Sequence, residues 1–275
     1  TANTTDTIPR PLLDRMEVIQ LSSYTDEEKV QIARCHLLPK LLVEHGLKKS
    51  ALRMDDGVLL AVIRDYTRES GVRKLERRLA AICRKADMRL LAGDVKRITV
   101  TEKDLPKLLD CQPYPPALCT EREEIGVVNG LAWTENGGEI LEVEVLACDG
   151  TGKLELTGNL GDVMKESAQA ALSCLRSRAA VLGIEPNFWK EKDIHVHFPE
   201  GAVPKDGPSA GIAVTTAMLS ALTDRKIRAG IAMTGEVTLR GRVLPIGGLK
   251  EKSMAALRNG VGTVLIPKDN ERDLE

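Results

Sequence analysis

The chain has 275 residues, of which 43% are hydrophobic and 29% charged, and its formal net charge is -1. This is the composition of a globular protein, and no apolar run approaches the roughly 20 residues that a membrane-spanning helix needs. At about 150 residues per domain, the length favours two domains. Basic residues are in mild excess before residue 120 and acidic residues after it, which argues against a dedicated nucleic-acid surface.

The start of the chain and its cysteines indicate a cellular location. The segment TANTTDTIPRPLLDR has no apolar stretch after a basic end, so we expect no signal peptide and interpret the chain as part of a longer one. Six cysteines are spread along the sequence without a CxxC pair. We therefore expect reduced thiols, a cytoplasmic location and no metal site.

The first half of the sequence has the hydrophobic period of helices. Thr25 and Glu28 have the spacing of a capping box at the start of segment 25–46, which predicts a helix. Two further amphipathic helices are predicted over 55–67 and 72–93. A short strand and a helix start capped by a threonine follow them.

A proline-rich stretch separates this half from the next. Residues 111–122 contain three prolines, so we place a linker there. It divides a small helical domain over 25–110 from a second domain over 123–275.

Strands and helices alternate in the second half. The expected fold class is therefore α+β: a small all-helical domain followed by a mixed α/β domain. The predicted elements, in chain order, are strands in 126–134, 139–150 and 153–158, a helix over 162–183, a strand in 193–199, a helix from about Pro208, short strands around Ile231 and Val237, a helix from about Leu249, and a strand in 263–267.

Ser209 stands in the turn sequence Gly-Pro-Ser-Ala-Gly directly before an apolar helix. Backbone N–H groups at a helix start favour a developing oxyanion, and the small residues let a substrate backbone approach. The same pattern also fits an ordinary helix start, in which Asp206 or Ser209 is the cap and Pro208 lies in the first turn. The local sequence does not decide between a nucleophile and a cap.

The base that would activate this serine is not a histidine. Gly207, Ser209 and Gly211 satisfy GxSxG, which in α/β-hydrolases requires a histidine later in the chain, but none follows. A lysine can serve if burial lowers its pKa from about 10.4 towards neutrality. Lys250 and Lys252 both lie at the margin of one predicted helix face. Periodicity does not choose between them, and either also fits a surface lysine.

Three segments of the second half, PKDGPSAG, MTGEVTLRGRVLPIGGLKEKSMAA and TVLIPKDNERDLE, resemble the proteolytic domain of the Lon protease family. The resemblance implies a catalytic dyad of Ser209 and Lys252, with Lys250 a bystander. It assigns Thr234 as the threonine that hydrogen-bonds the catalytic lysine. It assigns Asp206 as the acid before the nucleophile, where we expect it to control access to the serine. This chemistry needs no cofactor.

The first half resembles the end of a Lon AAA+ module, in IPRPLLDRMEVIQLSSYTDEEKVQIA and TRESGVRKLERRLAAICRKA. The resemblance implies that residues 1–24 end the large AAA+ subdomain and that residues 25–110 form its small helical lid. It assigns Asn3 as the sensor-1 asparagine, Arg15 as the arginine finger and Arg73 as the sensor-2 arginine. These residues would sense nucleotide in the full-length enzyme, which uses Mg-ATP.

The function implied by the resemblance is an ATP-dependent serine endopeptidase that degrades misfolded and regulatory proteins. It predicts unfolded polypeptides as substrates and a hexameric ring as the assembly. The chain departs from the family in one motif, because GxxxxGK[ST], the loop that cradles nucleotide phosphates, does not occur in it. We therefore expect these residues alone to be ATPase-deficient, and the proteolytic domain to be truncated at its C-terminal end.

Two weaker hypotheses concern metal and nucleic acid. His195 and His197 share one strand face and could bind a metal ion, although no third ligand is evident. The basic helix from Arg73 to Arg89 could contact nucleic acid, but acidic residues interrupt it and no stacking aromatics accompany it. The alternative overall function is a non-catalytic lid and assembly module, which a serine-reactive probe would distinguish from a peptidase.

Overall fold

The chain folds around separate hydrophobic cores in its two halves. The computed structural model describes residues 8–19, 23–93, 95, 97–114, 122–134, 137–199, 201 and 204–274. One core lies within the first domain, and the sheet of the second domain carries a core on each face. The α+β fold class predicted from the sequence is confirmed. None of the described helices is long and apolar enough to cross a membrane.

The first domain is built mainly from helices. The helices are α1 (Arg10–Leu13), α2 (Asp26–Ile32), α3 (Leu38–Glu44), α4 (Asp56–Tyr66), α5 (Arg73–Leu91) and α6 (Leu105–Leu109). One π-helical turn (Ala33–Leu37) joins α2 to α3. The domain is not all-helical, because the short strand predicted after α5 is present as β2 (Ile98–Thr99) and pairs in parallel with β1 (Leu52–Arg53). Strand β1 was not predicted, since two residues are too few to show a period of two in the sequence.

Side chains fix where the helices of this domain begin. The predicted capping box is present: the Glu28 N–H donates to Thr25 Oγ1, and the Thr25 N–H donates to the Glu28 carboxylate. Helix α5 has no cap from its own N-cap residue. Its free N–H groups at Lys74 and Leu75 instead donate to the Glu69 carboxylate, at 2.8 and 2.7 Å. Backbone N–H groups in the first turns of α2 and α5, which have no acceptor within their own helix, therefore donate to side chains.

The second domain contains a six-stranded sheet in the order β10-β7-β3-β4-β6-β5. Strand β4 is antiparallel to both of its neighbours, and the other pairs are parallel. A separate hairpin is formed by β8 and β9. The strands are β3 (Val127–Thr134), β4 (Gly137–Asp149), β5 (Leu154–Thr157), β6 (Lys192–His197), β7 (Ile231–Met233), β8 (Glu236–Val237), β9 (Val243–Leu244) and β10 (Thr263–Leu265).

Helices cover both faces of this sheet. They are α7 (Asp162–Leu182), α8 (Phe188–Glu191), α9 (Gly211–Thr223) and α10 (Leu249–Arg258). Alternate residues of β3 separate the two faces: Val128 belongs to the core beneath α7 and α9, and Leu131 packs with Ala256 of α10. Because successive side chains of a strand point to opposite faces, α10 lies on the other side of the sheet from α9.

Helix α10 approaches the sheet very closely at one glycine. A Cβ atom placed on Gly138, at the start of β4, would lie 2.0 Å from the Glu251 carbonyl oxygen and 2.9 Å from the Lys252 nitrogen. These are backbone atoms that cannot rotate away. The absence of a side chain at Gly138 therefore sets how deeply this turn of α10 sits on the sheet.

We expect Gly138→Ala to lower the free energy of unfolding by about 1 to 3 kcal/mol, because overpacking forces backbone to shift. Thermal and denaturant unfolding measure this change. The matched control is Gly262→Ala, since a Cβ there meets nothing within 4 Å, and it should change stability by less than about 0.5 kcal/mol. Equal stability of the two variants would show that the approach of α10 is not tight.

Candidate active site

Ser209 lies in a 3-10 turn (Pro208–Ala210) that leads directly into α9. Gly207 precedes this turn with a φ of +121°, a backbone conformation that residues with a Cβ rarely adopt. Ser209 is half-buried. The N–H groups of Ser209 and Ala210 belong to the first turn, where no intrahelical acceptor exists. The serine therefore stands beside free backbone donors.

A short segment of the chain holds this turn in place. The Gly235 N–H donates to the Ser209 carbonyl at 2.8 Å, and the Ile212 N–H donates to the Gly235 carbonyl at 3.0 Å. A Cβ on Gly211 would lie 2.8 Å from the Val237 nitrogen, so the helix start packs directly on β8. The role of Gly235 was not predicted, because both of its bonds join segments that are distant in sequence.

Lys252 is buried on α10, with 2% of its surface exposed. Its Nζ donates a hydrogen bond to Thr234 Oγ1 at 3.2 Å. Among the residues that the structure describes, no carboxylate lies within ion-pair distance of this ammonium group. Burial without a counter-charge lowers the pKa of Lys252 to about 8.

Thr234 connects the lysine to the serine. Its side chain is 1% exposed, and its hydroxyl accepts from Lys252 Nζ and donates to the Ser209 carbonyl oxygen at 3.3 Å. The structure thus brings Ser209, Thr234 and Lys252 together. It also separates the two candidate lysines, because Lys250 is exposed. The sequence had left both at the margin of the helix face.

The side chains of the proposed dyad are not hydrogen-bonded to each other in this arrangement. In the described part of the chain, no hydrogen bond joins Ser209 Oγ to Lys252 Nζ, and the connection runs through Thr234 and the serine carbonyl. Catalytic hydrogen bonds are often long in the absence of substrate and tighten when it binds.

Asp206 caps a helix, but a different helix from the one considered in the sequence. Its Oδ1 accepts from the Met164 N–H at 3.0 Å, in the first turn of α7, and from the Gly207 N–H at 2.9 Å. The N-cap of α7 is Gly161, which has no side chain to do this. The alternative that Asp206 or Ser209 caps the following helix is wrong, because neither the 3-10 turn nor α9 has a side-chain cap.

The residues assigned to nucleotide sensing lie elsewhere. Asn3 is outside the described residues. Arg15 is exposed in the turn after α1, and Arg73 is exposed as the first residue of α5. Among the described residues, neither arginine forms a hydrogen bond with Ser209 or Lys252, and the assigned roles of both arginines stay predictions.

The paired histidines take part in a hydrogen-bonded surface cluster. As predicted, His195 and His197 share one face of β6. Thr157 Oγ1 on the neighbouring strand lies 2.8 Å from His195 Nε2 and 2.7 Å from His197 Nδ1. The hydroxyl has one proton, so it donates to one ring and accepts from the other. Across the described residues, no group of three or more His, Cys, Asp or Glu side chains is placed to hold a metal ion.

Comparison with protein families gives two adjoining matches. Residues 99–275 match the Lon protease (S16) C-terminal proteolytic domain, and residues 43–98 match the Lon protease AAA+ ATPase lid domain. The first match includes Ser209, Thr234 and Lys252. The second falls within the predicted helical domain.

Curated relatives match the chain over nearly all of its length. A Lon protease of Desulforamulus reducens is 55% identical over 275 residues, which is 100% of this chain and 34% of the relative. Lon protease 1 of Bacillus subtilis is 57% identical over 275 residues, 100% of this chain and 36% of the relative. The Escherichia coli Lon protease is 55% identical over 269 residues, 98% of this chain and 34% of the relative. The chain therefore spans about a third of the length of these relatives.

We expect the Lys252 amine to titrate with a midpoint near pH 8, because its charged form is desolvated and unpaired. Heteronuclear NMR of the lysine side chains, recorded from pH 6 to 11, measures this midpoint. A Lys252→Met variant identifies the signal by its loss. A midpoint at or above the ordinary lysine value of about 10.4 would show that the amine is solvated or paired.

Proposed function

Because the chain belongs to the Lon protease (S16) family, we propose that its second domain is a serine endopeptidase with Ser209 as nucleophile and Lys252 as general base. One observation carries this proposal: a lysine with no counter-ion is buried against the threonine that also binds the serine backbone. A structural lysine would normally be exposed or paired with a carboxylate. A lysine that has to accept a proton near neutral pH requires the opposite environment.

The first chemical step is a proton transfer from the serine to the lysine. Neutral Lys252 Nζ accepts the proton of Ser209 Oγ while Oγ attacks the scissile carbonyl carbon. The resulting ammonium then donates that proton to the leaving amine, which releases the first product. Water resolves the acyl-enzyme in the same way, with the lysine again acting as base. The reaction needs no metal ion or organic cofactor.

Backbone donors stabilise the charge that develops on the substrate. The tetrahedral intermediate carries an oxyanion. The N–H groups of Ser209 and Ala210 in the turn before α9 are the donors we assign to it, and the start of α9 adds a positive helix end. Gly207 has no side chain, and nothing lies within 4 Å of where its Cβ would be. An extended peptide backbone can therefore come close to the serine.

A local rearrangement has to precede catalysis. The required Oγ to Nζ hydrogen bond is not formed among the described residues, so either the Ser209 rotamer or the turn around it must shift. Asp206 links this turn to α7, because its Oδ1 accepts hydrogen bonds from the Gly207 N–H and from the Met164 N–H at the start of α7. We propose that this is how Asp206 influences access to the serine.

The wider functional assignment follows the relatives. We propose that the full-length protein is an ATP-dependent, hexameric protease of the cytoplasm that degrades unfolded polypeptides. Nucleotide sensing would fall to Asn3, Arg15 and Arg73, with Mg-ATP held by parts beyond these 275 residues. The five described cysteines are unpaired thiols, which supports a reducing compartment.

We expect Ser209→Ala and Lys252→Met each to lower the rate of peptide cleavage by about 1000-fold or more, since each removes half of a unit that acts together. The matched control is Lys250→Ala, two residues from the base on the exposed side of α10, which should keep near-normal turnover. A fluorogenic unstructured peptide provides the assay, and thermal unfolding confirms that each variant is folded. Near-normal turnover of Lys252→Met would show that the base is misassigned.

The rate of cleavage should rise with pH, because only the neutral lysine can accept the proton. With the Lys252 pKa at about 8, the neutral fraction rises from about one tenth at pH 7 to about nine tenths at pH 9. We therefore expect kcat to increase about tenfold over this range, as measured from pH-dependent peptide cleavage. A bell-shaped profile centred near pH 6 would point to His195 or His197 instead.

A further inference from the structure

Two contacts join the first domain to the helix that carries the proposed base. Ser23 Oγ donates to Glu251 Oε1 at 2.7 Å, and Asp26 Oδ1 lies 3.6 Å from Arg258 Nε. Ser23 and Asp26 stand at the start of α2. Glu251 and Arg258 are seven residues apart on α10, which puts them on the same helix face two turns apart. The first part of the chain therefore contacts α10 near both of its ends.

Asp26 is anchored firmly in its own domain. Its side chain is 6% exposed, and its Oδ2 accepts from Arg64 Nε on α4 at 3.0 Å. Its Oδ1 has no hydrogen-bond partner among the described residues, so the charge of Arg258 is what that oxygen faces. A buried carboxylate held between two guanidinium groups loses much of its stabilisation when either group is removed.

Lys29 shows that these charges belong to one cluster. It lies on α2 close to Asp26, and its Nζ donates to the Glu69 carbonyl at 2.5 Å. Burial lowers the pKa of Lys29, and the positive charge of Arg258 lowers it further, while Asp26 acts in the opposite direction. Arg258 thus acts electrostatically on two buried groups of the first domain at once.

The turn of α10 that holds Lys252 is fixed from two sides. Ser23 bonds to Glu251, the residue directly before Lys252. From the sheet side, the backbone of the same turn rests against Gly138. Because a helix of ten residues is rigid, a displacement of its outer face also displaces the buried Lys252 by a similar distance.

We propose that Asp26, assisted by Ser23, is a positioning residue for Lys252. Asp26 acts through Arg258 and Ser23 acts through Glu251, and together these contacts set the placement of α10 and so the distance between Lys252 Nζ and Ser209 Oγ. This inference rests on the proposed function of the dyad and adds a route by which the first domain acts on it. Asp26 does not touch substrate. It acts by holding the element on which the base is mounted.

The test uses the whole chain and the peptide-cleavage assay with Asp26→Asn, Arg258→Gln and the double variant. Each single variant should lower kcat about tenfold and leave KM within about twofold, because misplacing a catalytic group slows the chemical step more than binding. The double variant should be no slower than the slower single one, since both remove the same link. Arg258→Lys keeps the charge and should retain most of the activity.

A milder variant and a matched control complete the series. Ser23→Ala removes one hydrogen bond at a partly exposed site and should lower kcat about threefold. Asp149→Asn breaks the ion pair between Asp149 and Lys192, which is exposed on the second domain, and should leave kcat unchanged. Labelling with a serine-reactive phosphonate counts the competent sites in every preparation, and thermal unfolding reports stability.

The possible outcomes separate positioning from a purely structural role. Lower kcat per labelled site, with the non-additive double variant, supports the proposal. Lower stability with unchanged kcat per labelled site overturns it and leaves the dyad intact. A parent chain that neither cleaves peptide nor takes the label overturns the proposed function, and the positioning role falls with it.

Discussion

The second domain has to keep the amine of Lys252 buried and without a carboxylate partner. Lowering the pKa of Lys252 from 10.5 to about 8 costs about 3 kcal/mol at neutral pH, which is a large share of a domain's stability. This cost falls as the pH rises from about 8 towards 10.5, because the folded state releases the proton before the unfolded state does. Below pH 8 both states hold the proton, and the full cost remains.

The surrounding packing has to offset this cost. Leu249, Ala255 and Ala256 are buried on the same helix as Lys252, and the two small alanines let the helix lie close to the sheet. The absence of a side chain at Gly138 allows the same close approach from the side of the sheet. The buried amine is therefore held by tight backbone approach and not by a charge partner, which leaves its lone pair available once the proton has left.

The sequence predicted the secondary structure well wherever a pattern was long. The 21-residue α7 and the 19-residue α5 were both predicted to within about a turn, because their hydrophobic periods repeat several times. The two-residue strands β1 and β9 and the four-residue helix α8 offered too few repeats to be seen.

The site residues could be proposed from motifs, but their geometry could not. GxSxG without a later histidine left a lysine as the candidate base, and the family resemblance selected Lys252 over Lys250. The burial that distinguishes the two lysines is a property of the folded helix. The capping of α7 by Asp206 joins residues 42 positions apart. No local pattern encodes such a contact, because it depends on where the sheet brings two loops together. The bonds made by Gly235 have the same origin.

The two halves of the proposed dyad are supported by different parts of the molecule. The turn of Ser209 is held by Gly235 and by Asp206 at the start of α7, all within the second domain. Lys252 lies on α10, which touches both domains through Ser23 and Arg258. On the positioning role proposed above, a change in the placement of the first domain would move the base relative to the turn of Ser209. A serine can transfer its proton to a lysine only within hydrogen-bond distance. Ser209 and Lys252 are joined here only indirectly, through Thr234, so a small movement of the single helix α10 can convert this arrangement to a reactive one.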